Sequence, residues 1–310
     1  MPHSFEKFLT GRSGTLAAAW DHAAASAPWS TLMKEWIVLT VAIRNTLRCS
    51  PGSPSADRES LEKRLAFLRW DLEARVQPLT IDNHIRTFFT DLGFRPAPKG
   101  YNEPDGSLLD SVLSRREGAG SALTILFAWA TETVSKMSTE SHTKISVEFV
   151  KNAPAQIVRL RISDTSNDAP EERAEYISAE KNGQKLESSD WIDWCQSGNG
   201  KTALERLSVS DVWIRLVLEL RAALEKPSSR WPESAGLRAQ VLLLDQLIAL
   251  RPSLIRLFAD RAMLRHRIGD STGALDDLKR FFAFQDRESA APALVSLYDL
   301  LRLTPRQPVP

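Results

Sequence analysis

A glycine-rich break stands directly before a long apolar segment in "SRREGAGSALTILFAWA", which runs from Ser114 to Ala130. The first turn of a helix carries free backbone N–H groups and the positive end of the helix dipole, which together stabilise a thiolate or another anion. Gly120 and Ser121 occupy this turn, and neither is a cysteine. Ser121 could act as a nucleophile, with the N–H groups forming an oxyanion hole for the substrate. It could also simply cap the helix, which is the commoner role.

The remaining residues with nucleophilic or metal-binding chemistry are scattered along the chain. The two cysteines, Cys49 and Cys195, follow no metal or redox spacing, which is typical of a protein whose thiols stay reduced. Cys195 could form a triad with His142 and Asp190, although its place between two large side chains favours a buried thiol. The histidines share no helical spacing, and no phosphate-binding glycine loop is present, so we expect neither a metal site nor a cofactor.

The charge balance excludes some partners. Lysine and arginine number 40 against 39 acidic residues, so no global field attracts nucleic acid or an anionic membrane. The longest apolar runs fall short of the ~20 residues that span a bilayer. The beginning of the chain has no signal-peptide pattern, so we expect a cytoplasmic protein without membrane insertion.

Helical periodicity dominates the first part of the chain. It predicts two helices within residues 4–48, the second capped by Ser30. A loop is predicted from Cys49 to Ser60, and the next helix starts after Ser60. Further helices are predicted after Pro78, with Gly93 as the C-cap, and in "SLLDSVLSRREG", with Gly118 as the stop. From Ser121 to Val134 the residues are apolar on nearly every face, which predicts a helix buried on all sides.

A small sheet is predicted behind this helix. "ISVEFV" and "AQIVRLRIS" alternate with period two, and Asn182-Gly183 between two alternating arms is a strong hairpin signal. The pattern predicts about four antiparallel strands, and a further helix in "SSDWIDWC".

The chain is helical again from Asp211 onward. Ala262 and Ala274 lie twelve residues apart, a spacing that fits a tetratricopeptide helix pair in which small residues let two helices approach closely. The first helix of this pair is basic through residues that include Arg261 and Arg265, which are therefore candidates for binding a peptide partner.

The order of these features is similar to that of a known family. "DLGF", "LLDSVLSRREG", the buried helix, the sheet and the tetratricopeptide tail resemble the bacterial SirB-type transglutaminase-like proteins over residues 60–285. In the wider fold a cysteine at the start of the core helix attacks a carbonyl, a strand histidine activates it, and an aspartate on the next strand orients the imidazole. The resemblance places Gly120, Gln156 and Ser178 at these three positions, which implies that the catalytic triad is lost.

The sequence thus predicts an α+β protein with a helical N-terminal region (1–77), a transglutaminase-like core (78–200) and a C-terminal tetratricopeptide-like helical domain (201–310). We expect a non-catalytic module that binds another protein or peptide. The alternative is a hydrolase or acyl transferase whose nucleophile has moved to Ser121 or Cys195. Arg115 and Arg116 either pair with a carboxylate at the edge of the core or fix an acidic partner by bidentate contacts.

Overall fold

Helices make up most of the described chain in the computed structural model, which covers residues 28–48, 54–76, 80–98, 103–137, 143–150, 157–164, 171–186, 207–227 and 230–303. The described residues form two compact units. The larger unit holds those within 20–42 and 52–223, and the smaller unit holds those within 43–51 and 224–310. The predicted domain boundaries after residues 77 and 200 stay a prediction, because both positions lie outside the described residues.

The first two helices begin earlier than the sequence predicted. Helix α1 spans Pro28–Leu47 and α2 spans Pro54–Arg75. Proline is favoured at the first helical position because its missing N–H would have no intrahelical partner there. The predicted cap at Ser30 and the predicted loop up to Ser60 were therefore wrong.

The start of α1 is capped from elsewhere in the chain by Glu132. The backbone N–H groups of Trp29 and Ser30 donate to its carboxylate at 2.8 and 3.2 Å, and the Ser30 hydroxyl donates to it at 3.2 Å. A carboxylate at a helix N-terminus both satisfies free donors and interacts favourably with the helix dipole. Ser30 thus donates hydrogen bonds to the capping carboxylate and does not cap the helix itself.

Two short helices follow and contribute to the core. Helix α3 spans Ile81–Arg86 and continues as a π-helical turn over Thr87–Asp91, after which Gly93 adopts a positive φ of 72°. The prediction of Gly93 as a left-handed C-cap is confirmed. Strand β1 (Arg95–Pro96) then pairs in parallel with β2 (Glu117–Gly118), with helix α4 (Leu109–Arg115) between them.

Helix α4 ends at Arg115. Arg116 adopts φ 58° and closes the helix in the left-handed conformation, so that Gly118 enters strand β2 instead of stopping the helix. The predicted stop at Gly118 was wrong because the sequence favours glycine for this conformation, whereas the structure places an arginine there. The prediction that Leu109, Val112 and Leu113 face inward is confirmed, since all three are buried.

Helix α5 spans Gly120–Met137 and is the most deeply buried helix of the larger unit. Its residues from Ala122 to Ala130 are all buried, including the two largest side chains, Phe127 and Trp129. The helix lies against α2, α4 and the first strand of the sheet. The prediction of a core helix covered on all sides is confirmed.

A four-stranded antiparallel sheet has the strand order β3-β4-β5-β6. The strands are β3 (Thr143–Phe149), β4 (Ile157–Asp164), β5 (Glu171–Ser178) and β6 (Gln184–Lys185). Alternation along the strands gives one apolar, buried face, which carries Ile145, Val147, Phe149, Val158, Leu160, Ile162 and Ile177. The predicted core, a buried helix against a small antiparallel sheet, is confirmed, while the tetratricopeptide type of the C-terminal helices stays a prediction.

The predicted hairpin is present between β5 and β6. A short 3₁₀-helix, Ala179–Lys181, leads into Asn182 and Gly183, which adopt φ values of 55° and 77°. Both values match the left-handed conformation that the Asn-Gly pair favours. Gly183 also lies against Phe89, so this turn has room for no side chain at that position.

The rest of the described chain is helical. Helix α6 spans Val209–Leu224, and α7 (Glu233–Leu250), α8 (Arg256–Arg267), α9 (Ser271–Phe282) and α10 (Pro292–Leu303) follow in the smaller unit. Ala262 and Ala274 are fully buried in one cluster with Leu278, Leu297 and Leu301. Among the described helices, none has the length and apolarity to cross a membrane.

Replacing Gly183 by alanine is expected to cost more stability than replacing Gly93. Both glycines have positive φ, so each alanine carries a backbone cost of about 1 kcal/mol. A methyl group at residue 183 would also overlap the ring of Phe89, whereas nothing lies within 4 Å of one at residue 93. We therefore expect Gly183→Ala to lower the free energy of unfolding by about 1–3 kcal/mol more than Gly93→Ala, measured by urea denaturation. Equal losses would show that the contact with Phe89 is easily relieved.

Candidate functional site

The start of helix α5 holds Gly120 and Ser121, as the sequence placed them, but Ser121 is no helix cap. The helix already begins at Gly120, and the Ser121 hydroxyl donates a 2.5 Å hydrogen bond to Oε1 of Glu219 on α6. Only 1% of Ser121 is exposed. A serine oxygen that is enclosed and held by a carboxylate cannot reach a carbonyl carbon in this conformation.

Glu219 is the electrostatically unusual group of this region. The pKa of its carboxyl is raised from 4.5 to about 7, mainly by burial and to a smaller extent by the charge of Glu180, while the hydrogen bonding from Ser121 and the charge of Arg215 oppose the rise. Because Glu219 interacts with both Ser121 and Glu180, the start of α5 and the turn after β5 lie at the same end of the larger unit. The resemblance to transglutaminase-like proteins predicts that the catalytic groups of that fold meet at this end.

The other triad positions contribute no acid or base within the described chain. Ser178 ends strand β5, pairs with Ile157 and lies on the face opposite the apolar one. Its hydroxyl is buried without a hydrogen-bond partner among the described residues. Its neighbours, Ile177 and Ala179, carry no carboxylate either. Four residues of the sequence-based candidates lie outside the described residues: His142, Gln156, Asp190 and Cys195.

His84 is the one described histidine of the larger unit, and it lies too far from Ser121 to activate it. Its Nε2 is 2.8 Å from the hydroxyl of Thr131, ten residues beyond Ser121 on α5, which corresponds to about 15 Å along the helix. Burial lowers its pKa to about 4, and its ring packs on Phe127 at a centroid distance of 4.9 Å. His84 is therefore a neutral core residue.

The two arginines at the end of α4 have different environments. Arg115 forms a salt bridge of 2.9 Å with Oδ2 of Asp105, whose side chain is only 7% exposed. The sequence predicted a carboxylate partner at the edge of the core, and in the structure this partner is Asp105. Arg115 compensates a buried charge, so we infer that its role is structural.

Arg116 makes no salt bridge within the described chain. Its guanidinium lies over the ring of Phe94, 4.8 Å from the centroid, and donates a long hydrogen bond of 3.4 Å to the carbonyl of Leu92. Burial lowers its pKa, and the neighbouring cations Arg64 and Arg75 lower it further, while Asp71 opposes them. Arg116 thus keeps a cation partly buried without a carboxylate bound to it.

The C-terminal candidates, Arg261 and Arg265, bind carboxylates of their own unit. Arg261 is 8% exposed, binds both oxygens of Asp277 at 2.8 and 2.5 Å, and contacts Asp245 at 2.5 Å. Arg265 adds a 3.0 Å contact with Asp277. A partner would have to displace these carboxylates, and the role of these arginines in partner binding stays a prediction.

Sequence analysis missed the partner of Ser121. Glu219 lies 98 residues after Ser121, on a helix whose pattern reads as an ordinary amphipathic one. A search for a glutamate on the inner side of α6 would have found it, since its neighbours Leu216 and Leu220 are fully buried. The described residues contain no group of three or more histidine, cysteine, aspartate or glutamate side chains able to hold a metal ion.

The Glu219 carboxyl should make the stability of the protein depend on pH. Its pKa is raised on folding, so the folded state binds the proton more tightly than the unfolded state, and stability falls as the pH rises from 4.5 to about 7. Glu219→Gln removes this group, and we expect the stability of the variant to change less over that range, by up to about 3 kcal/mol. Urea denaturation at a series of pH values measures the difference, and parallel curves for the two proteins would contradict it.

Charge reversal at Arg115 and removal of the Arg116 side chain should have different effects on folding. Arg115→Glu places a second carboxylate next to buried Asp105 and should lower the free energy of unfolding by about 3 kcal/mol. Arg116→Gly removes a cation from a position of φ 58°, where glycine is favoured, so we expect a change within about 1 kcal/mol. Thermal and urea unfolding of both variants would test this, and a similar loss in both would contradict the separate roles.

Comparison with known proteins agrees with the arrangement of the larger unit. A family model described as the transglutaminase-like superfamily matches residues 58–218, which is more than half of the 310 residues. The matched segment begins in α2, includes the start of α5 and the whole sheet, and ends in α6, next to Glu219. No curated protein and no solved structure gives a significant match. The match over this length shows that the chain belongs to the transglutaminase-like superfamily.

Proposed function

We propose that this protein is a non-catalytic member of its superfamily that works as a protein-protein interaction or scaffold module. The observation that carries the proposal is the environment of Ser121. At the helix start where the fold presents its nucleophile, Gly120 has no side chain, and the adjacent hydroxyl is 1% exposed and bound to Glu219. This arrangement is compatible with a stable fold, but the start of α5 offers no accessible nucleophile.

The positions of the expected helpers support the same proposal. The resemblance to SirB-type members implies that Gln156 and Ser178 stand in place of histidine and aspartate. An amide cannot accept a proton near neutral pH, and a serine hydroxyl cannot orient an imidazolium by charge. We assign the chain to the SirB-type group of bacterial proteins on these motifs, with an intracellular setting in which Cys49 and Cys195 stay reduced.

The C-terminal helices add an interaction element to the proposal. We assign α8 and α9 to the tetratricopeptide type, because a short turn joins two helices of 12 residues each and fully buried Ala262 and Ala274 allow a close approach. Repeats of this type present surfaces for peptides. Their basic side chains include Arg261 and Arg265, whose present carboxylate partners stabilise the helix pair.

The alternative function is a hydrolase or acyl transferase with a relocated nucleophile, and one observation favours it. Glu219 has a pKa near 7 and accepts the hydrogen bond of the Ser121 hydroxyl, as a general base would. Opening of the site to solvent would be required before Ser121 could react. Cys195 is the other candidate nucleophile of this alternative.

Activity-based labelling distinguishes the two functions. We expect a fluorophosphonate probe, which reacts with activated serines, to label the native protein no more than the Ser121→Ala variant, because the hydroxyl is enclosed. We also expect no hydrolysis of peptide amides above background. Stoichiometric labelling that disappears in both Ser121→Ala and Glu219→Gln would overturn the proposal, as would amide hydrolysis that is lost in Cys195→Ala.

A further inference from the structure

A groove on the larger unit lies between helix α2, the end of helix α4 and Phe94. Its volume is about 330 Å³. Three cationic and four apolar side chains line it, and no carboxylate does: Lys63, Arg64, Phe67, Leu68, Phe94, Leu113 and Arg116.

Two of these cations have no carboxylate bound to them. Arg64 donates to the carbonyl of Asp110 at 3.2 Å and to the hydroxyl of Ser114 at 2.6 Å, both of them neutral acceptors. Arg116 has the Leu92 carbonyl and the Phe94 ring as its contacts. Neither arginine makes a salt bridge within the described residues, whereas Lys63 pairs with Glu59 at 2.6 Å. The groove therefore carries two guanidinium groups that an anion could compensate.

The backbone at Arg116 is a second, independent observation. A residue with φ 58° closes a helix most easily when it is glycine, and an L side chain there is strained by about 1 kcal/mol. Strain of this kind persists where the rest of the structure requires a particular side chain. The Arg116 guanidinium is directed over Phe94 and lines the groove, which is the place where its charge would be used.

An exposed aromatic surface adjoins the cations. Phe67 is 60% exposed and Trp70 is 61% exposed, and their ring centroids are 5.8 Å apart on consecutive turns of α2. Large apolar side chains beside unpaired cations suit a ligand that carries a carboxylate close to an apolar group.

The charges around the groove argue against an extended polyanion. Four carboxylates of α2 are paired within the helix, and the protein as a whole is almost neutral, with 40 basic and 39 acidic residues. Nucleic acid and anionic bilayers require a continuous positive surface, whereas Arg58, Arg69 and Arg75 of α2 are neutralised by carboxylates. The flanking ion pairs are Arg58–Glu62, Lys63–Glu59, Arg69–Glu73 and Arg75–Asp71.

We propose that this groove binds an acidic peptide segment of a partner protein, with one carboxylate held by Arg64 and Arg116 and an adjacent apolar side chain packed on Phe67 and Phe94. The inference rests on the proposed interaction function and assigns it a site and a ligand class. Binding involves no covalent step. The larger unit would act through this groove whether or not the C-terminal helices also bind a peptide.

A peptide array tests the proposal with the full chain. Each peptide places one phenylalanine, tryptophan or leucine among aspartates and glutamates, and a matched set carries asparagine and glutamine at the acidic positions. We expect the full chain to retain acidic peptides and not their amide counterparts, with affinity that falls as the salt concentration rises. Anionic vesicles and single-stranded DNA serve as polyanion probes, and we expect no binding of either at physiological salt.

Substitutions of residues in the groove test whether peptide binding depends on it. Arg116→Gly, Arg64→Gln and Phe67→Ser should each weaken the best acidic peptide at least about tenfold in fluorescence anisotropy, because each removes a direct contact. Arg58→Gln is the matched control on the same helix, since Arg58 is exposed and pairs with Glu62 outside the groove, and its affinity should change less than about twofold. Circular dichroism confirms folding of each variant, and Arg64→Gln keeps the test valid if Arg116→Gly fails to fold.

Three outcomes would overturn the proposal. They are equal retention of acidic and amide peptides, affinity that Arg64→Gln and Arg116→Gly leave unchanged, and tighter binding of vesicles or DNA than of every acidic peptide. Peptide binding that is independent of the groove would leave the proposed function standing and refute only this site. Serine labelling or amide hydrolysis in the assays above would refute the proposed function instead, so the two failures are distinguishable.

Discussion

The burial of helix α5 is the constraint on which the larger unit depends. A helix that is apolar on all sides cannot remain in water, so other elements must cover every face of it. Helix α5 contacts α2, α4 and strand β3. The apolar face of the sheet extends the same core. Within the described chain, polar groups of other elements then meet this helix at few places, which are Ser121 at its start and Thr131, Glu132 and Ser135 towards its end.

Much of this arrangement was predictable from the sequence, because it depends on local patterns. The apolar run of α5, the alternation of the strands and the Asn182-Gly183 turn each specify one structure through burial or backbone conformation. Gly93 was predictable for the same reason. Helix starts were less predictable, since the proline that allows α2 to begin at Pro54 also occurs in loops.

The candidate site was predictable only in part, because its contacts join distant segments. The sequence placed Gly120 and Ser121 at the start of the core helix, and the structure agrees. It could not show that Glu219, 98 residues away, would accept the Ser121 hydrogen bond. It also treated Arg115 and Arg116 as a pair, although the left-handed residue at the helix end turns the two side chains toward different surroundings. The different surroundings of the two arginines depend on the φ angle of Arg116, which a pattern of residue types does not specify.

The cap that Glu132 provides to helix α1 has a consequence for synthesis of the chain. Trp29 leaves the ribosome 103 residues before the carboxylate that satisfies its N–H group. During that interval these donors lack the Glu132 carboxylate, and water can take its place. The first described helix therefore gains its capping carboxylate only after the last turns of the core helix have been synthesised.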